Sequence, residues 1–229
     1  MNEERKFLLD IFERFGSQAQ DAMDFVKRNE STAEKAETKP SATPTTAVSE
    51  FLPNGVYYVL KDGTHTAALS EGNDIEVPDK ENIAFIGIAY DTHKFGVPIH
   101  GNKGSHKLLN CGSNYPDKDS ECMCEADAIL DWDFVGATKH IQKLGTDIPL
   151  NDGEYLPTAP VFLAMYKFRD LLNEALQYAG GEPIDFTEDF WFGRRYSSSY
   201  AWLFHGGIGT LYNTSVNSSY LVQAVTLWK

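Results

Sequence analysis

The feature that most limits what this chain can fold into is a low-complexity tract at residues 29–50. It is rich in Ser, Thr, Ala, Pro and Glu, and Val48 is its only large apolar residue. A segment of this composition cannot bury enough apolar surface to offset the entropy lost on ordering. We predict a flexible linker over residues 29–50, with a folded domain over residues 51–229.

The segment before the linker has the spacing of an amphipathic helix. Its apolar side chains recur at three- and four-residue steps over residues 3–27, with charged residues on the other side. A helix of this length is only marginally stable in water without packing against another element. We expect residues 1–28 to be a docking or oligomerisation helix that gains stability from partner chains, for example in a homo-oligomer; packing onto its own domain is the alternative. The apolar positions are Leu8, Ile11, Phe15, Ala22 and Phe25.

Charge and hydropathy exclude several classes of partner. The formal net charge is −13 and the calculated pI is about 4.8, whereas a phosphate-binding face needs clustered Lys and Arg. Nucleic acid is therefore not expected. The sequence has no long apolar run and begins with a charged, amphipathic segment, so we expect cytoplasmic synthesis without a signal peptide and no membrane insertion. The odd set Cys111, Cys122 and Cys124 predicts free thiols.

Residues 51–229 combine strand and helix signals, which predicts an α+β domain with two helices and short antiparallel strands. Strands are expected over residues 56–60 and 83–89, a loop over 95–116, a hairpin over 199–212 and a central strand over 220–228. One helix should run from Phe134 to Leu144 with Gly145 as its left-handed cap. A second should begin after Thr158 and stop at Gly180.

The C-terminal part has an unusual residue alphabet. Between Phe190 and Tyr220 there is no Lys, Glu, Gln, Met, Asp, Pro or Cys. Apart from Trp191 and Trp202, every residue type present can be encoded by a codon ending in a pyrimidine, as when the adenines of an Asn-type codon are randomised. Tyr, Ser, Gly and Asn are also favoured in antibody binding loops. The tract indicates a recognition surface, and a Ser/Tyr/Asn-rich β-meander is the alternative.

Three other chemistries have weaker support. Cys111, Cys122, Cys124 and His106 offer zinc ligands, but the spacing is not that of a common finger. The Asp131-Trp132-Asp133 carboxylates are more typical of a helix cap than of a calcium site or an acid–base pair. His205 has no nucleophile or orienting carboxylate in its segment. We therefore predict no catalytic residue, metal or cofactor.

Motifs over residues 131–225 resemble a known family. They are Gly153-Glu154-Tyr155-Leu156-Pro157-Thr158, then Met165-Tyr166, Arg169-Asp170, Asn173-Glu174-Ala175-Leu176 and Ala179-Gly180-Gly181, followed by Trp191-Phe192-Gly193-Arg194, Ala201-Trp202, Gly209 and Leu221-Val222-Gln223-Ala224-Val225. Their order resembles C-type-lectin-like domains of the formylglycine-generating-enzyme subgroup, the variable proteins of diversity-generating retroelements in gut bacteria and their phages. The sequence departs from the family pattern at three places. Phe-Gly-Arg stands where the family has a Ser-Ser-Thr block, Gln223 stands where it has an Arg, and Gly206 stands where it has a Phe.

The resemblance implies a rigid scaffold that displays diversified side chains, over a variable region at about residues 190–220, to a protein or glycan receptor on another cell. The resemblance also implies that the helix at residues 1–28 joins the chain to a virion or cell-surface assembly. A phage tail is the expected location, and a cell-associated one is the alternative. Aromatic anchors and anion-binding arginines would be among the displayed residues, which are Phe192, Arg194, Arg195, Tyr200, Leu203, His205, Ile208, Thr210, Tyr212, Asn213, Thr214 and Asn217.

Two other functions stay open at this point. The first is a structural or adhesin domain of the same fold without diversification, in which the Ser/Tyr-rich strands are scaffold. The second is an enzyme of the formylglycine-generating-enzyme fold. Those enzymes depend on a redox-active cysteine pair near the C-terminal part, and no cysteine follows Cys124 here.

Overall fold

The computed structural model describes residues 52–68 and 77–229, which belong to the unit Phe51–Lys229. The predicted helix at residues 1–28 and the linker at residues 29–50 lie outside the described residues. Helices and mixed sheets make up the described part, so the α+β class is confirmed. None of its helices is long and apolar enough to cross a membrane.

The first sheet is formed mainly by the N-terminal half of the domain. Its strand order is β2-β1-β3-β4-β11-β6, and every neighbouring pair is antiparallel. Apolar runs in the two predicted strands account for its centre, where β-branched and aromatic residues pack. The strands are β1 (Gly55–Leu60), β2 (His65–Ala67), β3 (Ile83–Tyr90), β4 (His93–Val97), β6 (Glu154–Tyr155) and β11 (Val225–Thr226).

The second sheet carries the Tyr- and Ser-rich part of the chain. Its order is β5-β10-β7-β8-β9, with β10 and β7 parallel and the other pairs antiparallel. The predicted hairpin is confirmed as β8 and β9, joined by residues 206–209. The strands are β5 (Asn102–Lys107), β7 (Phe190–Arg195), β8 (Tyr200–His205), β9 (Thr210–Ser215) and β10 (Ser219–Gln223).

The C-terminal strand passes from one sheet to the other. The prediction of one central strand over residues 220–228 is wrong, because the segment divides into β10 and β11 at Ala224. The amide of Ala224 donates to Gly101 O (2.8 Å), which bonds the junction to the segment between β4 and β5. The two sheets therefore share one continuous piece of chain.

Four α-helices lie among the described residues: α1 (Glu125–Ala128), α2 (Phe134–Leu144), α3 (Ala159–Lys167) and α4 (Arg169–Tyr178). The ends of α2 are as predicted. Asp133 Oδ1 accepts a hydrogen bond from Gly136 N (2.8 Å), and Gly145 ends the helix at a φ of 95°. Both are standard ways to satisfy the free backbone groups of helix ends.

The second predicted helix is two helices. Phe168, at φ −101° and ψ 17°, separates α3 from α4. Its amide donates to both Ala164 O (3.3 Å) and Met165 O (3.2 Å). The α-helical hydrogen-bond pattern therefore gives way to a tighter 3₁₀-type turn at this residue. The Phe168 ring lies edge-on to Tyr90 at 6.2 Å. Tertiary packing of this aromatic ring accompanies a break that apolar spacing did not indicate.

The prediction of a loop over residues 95–116 is wrong where β4 and β5 lie. β5 has the sequence NKGSHK and pairs with β10 at the edge of the second sheet. Because an edge strand faces solvent, it needs no apolar alternation. The polar composition of this segment therefore does not predict a strand.

The second sheet has buried residues on both faces. One face contributes Phe190, Phe192, Trp202 and Phe204 to the main core. The three phenylalanine rings surround Phe162 of α3. The other face forms a second cluster with the loop that follows β5. Members of that cluster include Trp191, Leu203, Val216, Leu108 and Ile141. Trp191, Trp202 and Val222 are buried.

Candidate functional site

The twelve predicted binding residues divide into a buried and an accessible set. Phe192, Arg194, Arg195 and Leu203 are at most 4% exposed, so the prediction that these four are displayed is wrong. Tyr200, Ile208 and Tyr212 are 45%, 62% and 53% exposed. The remaining five are partly buried: His205, Thr210, Asn213, Thr214 and Asn217.

Phe192 and Leu203 are buried because both faces of their strands are covered. Phe192 lies 5.7 Å from the Phe162 ring, measured between ring centroids, in the main core. Leu203 pairs with Trp191 across the strands and lies in the second cluster. In a sheet covered on two sides, successive residues are all interior, so alternation does not identify an outward set.

Arg194 is held by acidic residues of the same chain. Its Nε donates to Asp131 Oδ2 (2.6 Å), its Nη1 to Glu121, and its Nη2 to Asp133 O (3.4 Å). Burial by itself would lower the pKa of Arg194, but the carboxylates of Asp131 and Glu121 outweigh it and raise that pKa. The guanidinium is a structural cation that ties residues 121–133 to β7.

Arg195 has the same kind of role. Its side chain is fully buried, and Nη2 donates to Asp119 Oδ2 (2.6 Å) and Asp117 O (3.1 Å). The pair of arginines is therefore neither a solvated turn nor a donor pair open to a ligand. Removing either guanidinium would leave a carboxylate without its arginine partner.

His140 of α2 adjoins this network. Its Nε2 lies 3.3 Å from Asp119 Oδ2 and forms no well-aligned hydrogen bond with any described residue. Burial lowers the pKa of His140; Asp119 opposes that shift, and Arg195 adds to it. Burial raises the pKa of Asp119, but Arg195 and His140 outweigh it, so that pKa is lowered. The Asp119 carboxylate is thus shared by the Arg195 guanidinium and the His140 imidazole.

The accessible residues of β8 and β9 lie on two faces of the sheet. Tyr212 pairs with Leu203 and Thr214 with Ala201, which places Tyr212 and Thr214 on the face of the second cluster. Asn213 pairs with Trp202, on the face of the main core. Tyr200 is on the same face as Asn213, because side chains alternate along a strand. The structure therefore does not bring the predicted set together as one flat patch.

The hairpin tip extends the face that carries Tyr212. His205 pairs with Thr210, its ring centroid lies 6.0 Å from that of Tyr212, and its Nδ1 lies 2.9 Å from Asp189 Oδ1. Ile208 stands beyond them at the tip. A carboxylate partner for His205 thus exists, but it comes from before β7 and not from the histidine's own segment.

Tyr115 is a surface residue that sequence analysis did not include. It is 41% exposed, and its hydroxyl accepts from Asn217 Nδ2 at 3.2 Å. The contact spans 102 positions in sequence. No local pattern could have placed Tyr115 beside the predicted surface.

The zinc alternative has no assembled site among the described residues. All three cysteines are free thiols, and the described residues contain no cluster of three or more His, Cys, Asp or Glu arranged to hold a metal ion. An open cleft of about 290 Å³ lies between Tyr166, Arg169 and Gly206. Two of its polar side chains, Asn173 and Thr187, are bonded to Ile184 and Asp185 within the protein.

Comparison of the chain with protein-family models, with curated proteins and with solved structures gives no match. The site is therefore defined by its own geometry. It consists of an edge hairpin with exposed Tyr200, Ile208 and Tyr212, small polar neighbours, and a buried aromatic and ionic framework beneath.

Proposed function

We propose that this chain is a ligand-binding protein with a C-type-lectin-like domain, a variable protein of a diversity-generating retroelement that serves in attachment to a receptor on another cell. The observation that carries the proposal is the separation within residues 190–220 between rigid buried residues and exposed aromatic ones. Tyr200 and Tyr212 offer large, stiff contact area, and Thr210, Asn213 and Thr214 offer adaptable hydrogen bonds.

The buried residues revise which positions the proposal allows to vary. Arg194 and Leu203 are integral to the packed structure, so a diversified codon at either position would destabilise the domain. Tyr212 and Ile208 tolerate many side chains because more than half of each is exposed. Variation should therefore follow exposure and not the boundaries of the unusual alphabet.

Sequencing the 3′ end of the gene in a natural population, with the adjoining DNA, tests this proposal. We expect adenine-limited substitutions at the codons of Tyr200, Ile208 and Tyr212, invariant codons for Trp191 and Arg194, and a near-identical template repeat nearby. Invariant codons throughout, or substitutions spread equally over buried and exposed positions, would refute diversification.

A binding measurement tests the exposed side chains of the β8–β9 hairpin directly. Labelled wild-type chain should bind a subset of intact bacterial strains in a panel, and Tyr200→Ala/Ile208→Ala/Tyr212→Ala should not bind. The matched control is Leu130→Ala/Leu227→Ala, which removes exposed apolar side chains elsewhere. Equal binding by the triple variant would exclude these three side chains from contact with the receptor.

A further inference from the structure

Strand β9 forms an edge of the second sheet, and its outward backbone groups have no partner within residues 52–68 and 77–229. Tyr196 N and Ser197 N donate to Tyr200 O (2.8 and 3.1 Å), so that carbonyl points away from β9. Tyr200 and Ser215 are therefore a non-hydrogen-bonded pair of the β8–β9 ladder.

Alternation along the ladder extends this assignment. The pairs Trp202–Asn213 and Phe204–Leu211 are of the same kind, so the N–H and C=O groups of Asn213 and Leu211 point away from β8. None of these groups has a hydrogen-bond partner among the described residues. An edge of this kind is a template for pairing with another strand.

The other described sheet edges are protected in the usual ways. β5, at the opposite edge of the same sheet, carries Lys103 and Lys107 and a positive-φ Gly104. In the first sheet, edge strand β2 has three residues and β6 has two. Charge, irregular backbone and shortness all discourage edge-to-edge association. β9 has six residues, none charged and none Pro, so it lacks each of these protections.

The charge distribution makes a second copy of this chain a suitable occupant. Two chains of net charge −13 repel one another. From residue 196 to residue 228, however, the sequence contains no Asp, Glu, Lys or Arg. The hairpin that carries β9 is in this neutral tract, so two copies can meet there without placing like charges opposite each other.

We propose that two copies of this chain associate by antiparallel pairing of their β9 strands. A two-fold axis perpendicular to the sheet at Tyr212 keeps the faces of both sheets aligned and gives the self-complementary contact of a symmetric dimer. Leu211 of each copy pairs with Asn213 of the other, and their outward backbone groups exchange hydrogen bonds. Tyr212 faces Tyr212, and Thr210 faces Thr214, in pairs that favour sheets.

The pairing joins the two sheets into one continuous sheet, places the two Tyr212 side chains next to each other and directs the two hairpin tips to opposite ends of the joined strands. The pairing is argued from backbone groups and charge and does not require the proposed function, although Tyr212 belongs to both the dimer contact and the proposed binding residues. An extended segment of a different protein could use the same edge, and the experiment below separates that case from self-association.

Sedimentation velocity of the full chain over a range of concentrations tests the proposal. We expect a monomer–dimer equilibrium for the wild type. Asn213→Pro removes an outward N–H without breaking a β8 bond and should be monomeric, whereas Asn213→Ala should dimerise like the wild type. Tyr212→Lys places two ammonium groups opposite each other and should also be monomeric. Circular dichroism establishes that each variant is folded; if Asn213→Pro unfolds, Tyr212→Lys decides the question.

Disulfide crosslinking tests the register. In a background with Ser at the three native cysteine positions, Tyr212→Cys should give a crosslinked dimer on oxidation. Asn213→Cys is the matched control and should not, because its two copies are offset along the strands. A wild-type chain that stays monomeric overturns self-association and leaves β9 free for another protein. A dimer that persists in folded Tyr212→Lys assigns association to a different surface, such as residues 1–28.

Discussion

The ammonium nitrogen of Lys103 lies 2.6 Å from Glu154 Oε2 and 2.8 Å from Glu154 Oε1, with both side chains less than 10% exposed. Lys103 belongs to β5 of the second sheet and Glu154 to β6 of the first. One buried ion pair therefore connects the two sheets at their edges.

Removing one member of this pair should be strongly destabilising. Lys103→Met leaves the Glu154 carboxylate buried without its cation, and we expect the free energy of unfolding to fall by about 3 kcal/mol. Urea denaturation measures the change. Asp170→Asn is the control, because the Arg169–Asp170 pair is largely exposed and should contribute less than about 1 kcal/mol. Equal effects would mean that the Lys103–Glu154 pair is solvated.

Arg194 should contribute to stability and not to binding. Arg194→Met leaves the carboxylate of Asp131, 11% exposed, without its partner, and should lower the free energy of unfolding by about 3 kcal/mol. Tyr212→Ala should change it by less than about 0.5 kcal/mol, since that side chain is exposed. Thermal and urea unfolding of the two variants measure these changes in the free energy of unfolding. A folded Arg194→Met variant of wild-type stability would return Arg194 to the list of displayed residues.

The two glycines after β8 should respond differently to the same substitution. A Cβ at Gly206 would overlap Glu188 O and the carbonyl group of Thr187, which are backbone atoms. At Gly207 the nearest atom would be His205 Cε1 at 3.4 Å, an ordinary contact. Gly206→Ala should therefore destabilise the domain by about 2 kcal/mol and Gly207→Ala by much less. Similar melting temperatures for the two variants would contradict this packing.

Stability should decline as the pH falls through the histidine range. Burial lowers the pKa values of His140 and His93 from 6.5 in the folded domain. The unfolded chain then binds protons first, so folding is favoured above pH 6.5 and weakens as the pH falls below it. His140→Gln should reduce that decline, measured as the urea midpoint between about pH 7.5 and pH 5. An unchanged pH profile in both His140→Gln and His93→Gln would show that neither histidine carries the effect.

The fold was predictable where local sequence determines structure. The ends of α2 at Asp133 and Gly145 depend on residues within one turn of the helix, and the β8–β9 hairpin depends on adjacent apolar runs and glycines. β5 was missed because it is polar, and the break at Phe168 because apolar spacing continues through it. In both cases the deciding contacts come from distant segments.

The candidate site was predictable only in part, for a related reason. Tyr200, Ile208 and Tyr212 are exposed, as the paratope-like composition indicates. Arg194 looked displayed because its partners are remote: Asp131 and Glu121 are 63 and 73 positions away. A charged residue in a strand can serve a ligand or a buried carboxylate, and only the tertiary structure separates the two.

The passage of the C-terminal strand between the two sheets has a consequence for synthesis on the ribosome. β10 lies between β5 and β7, and β11 lies between β4 and β6. The second sheet cannot acquire its full set of strands until residue 223 has left the exit tunnel, and the first sheet cannot until residue 226 has done so. Nascent chains will therefore hold β4 and β5 with open edges during translation, and the completion of both sheets will be a late, post-emergence step.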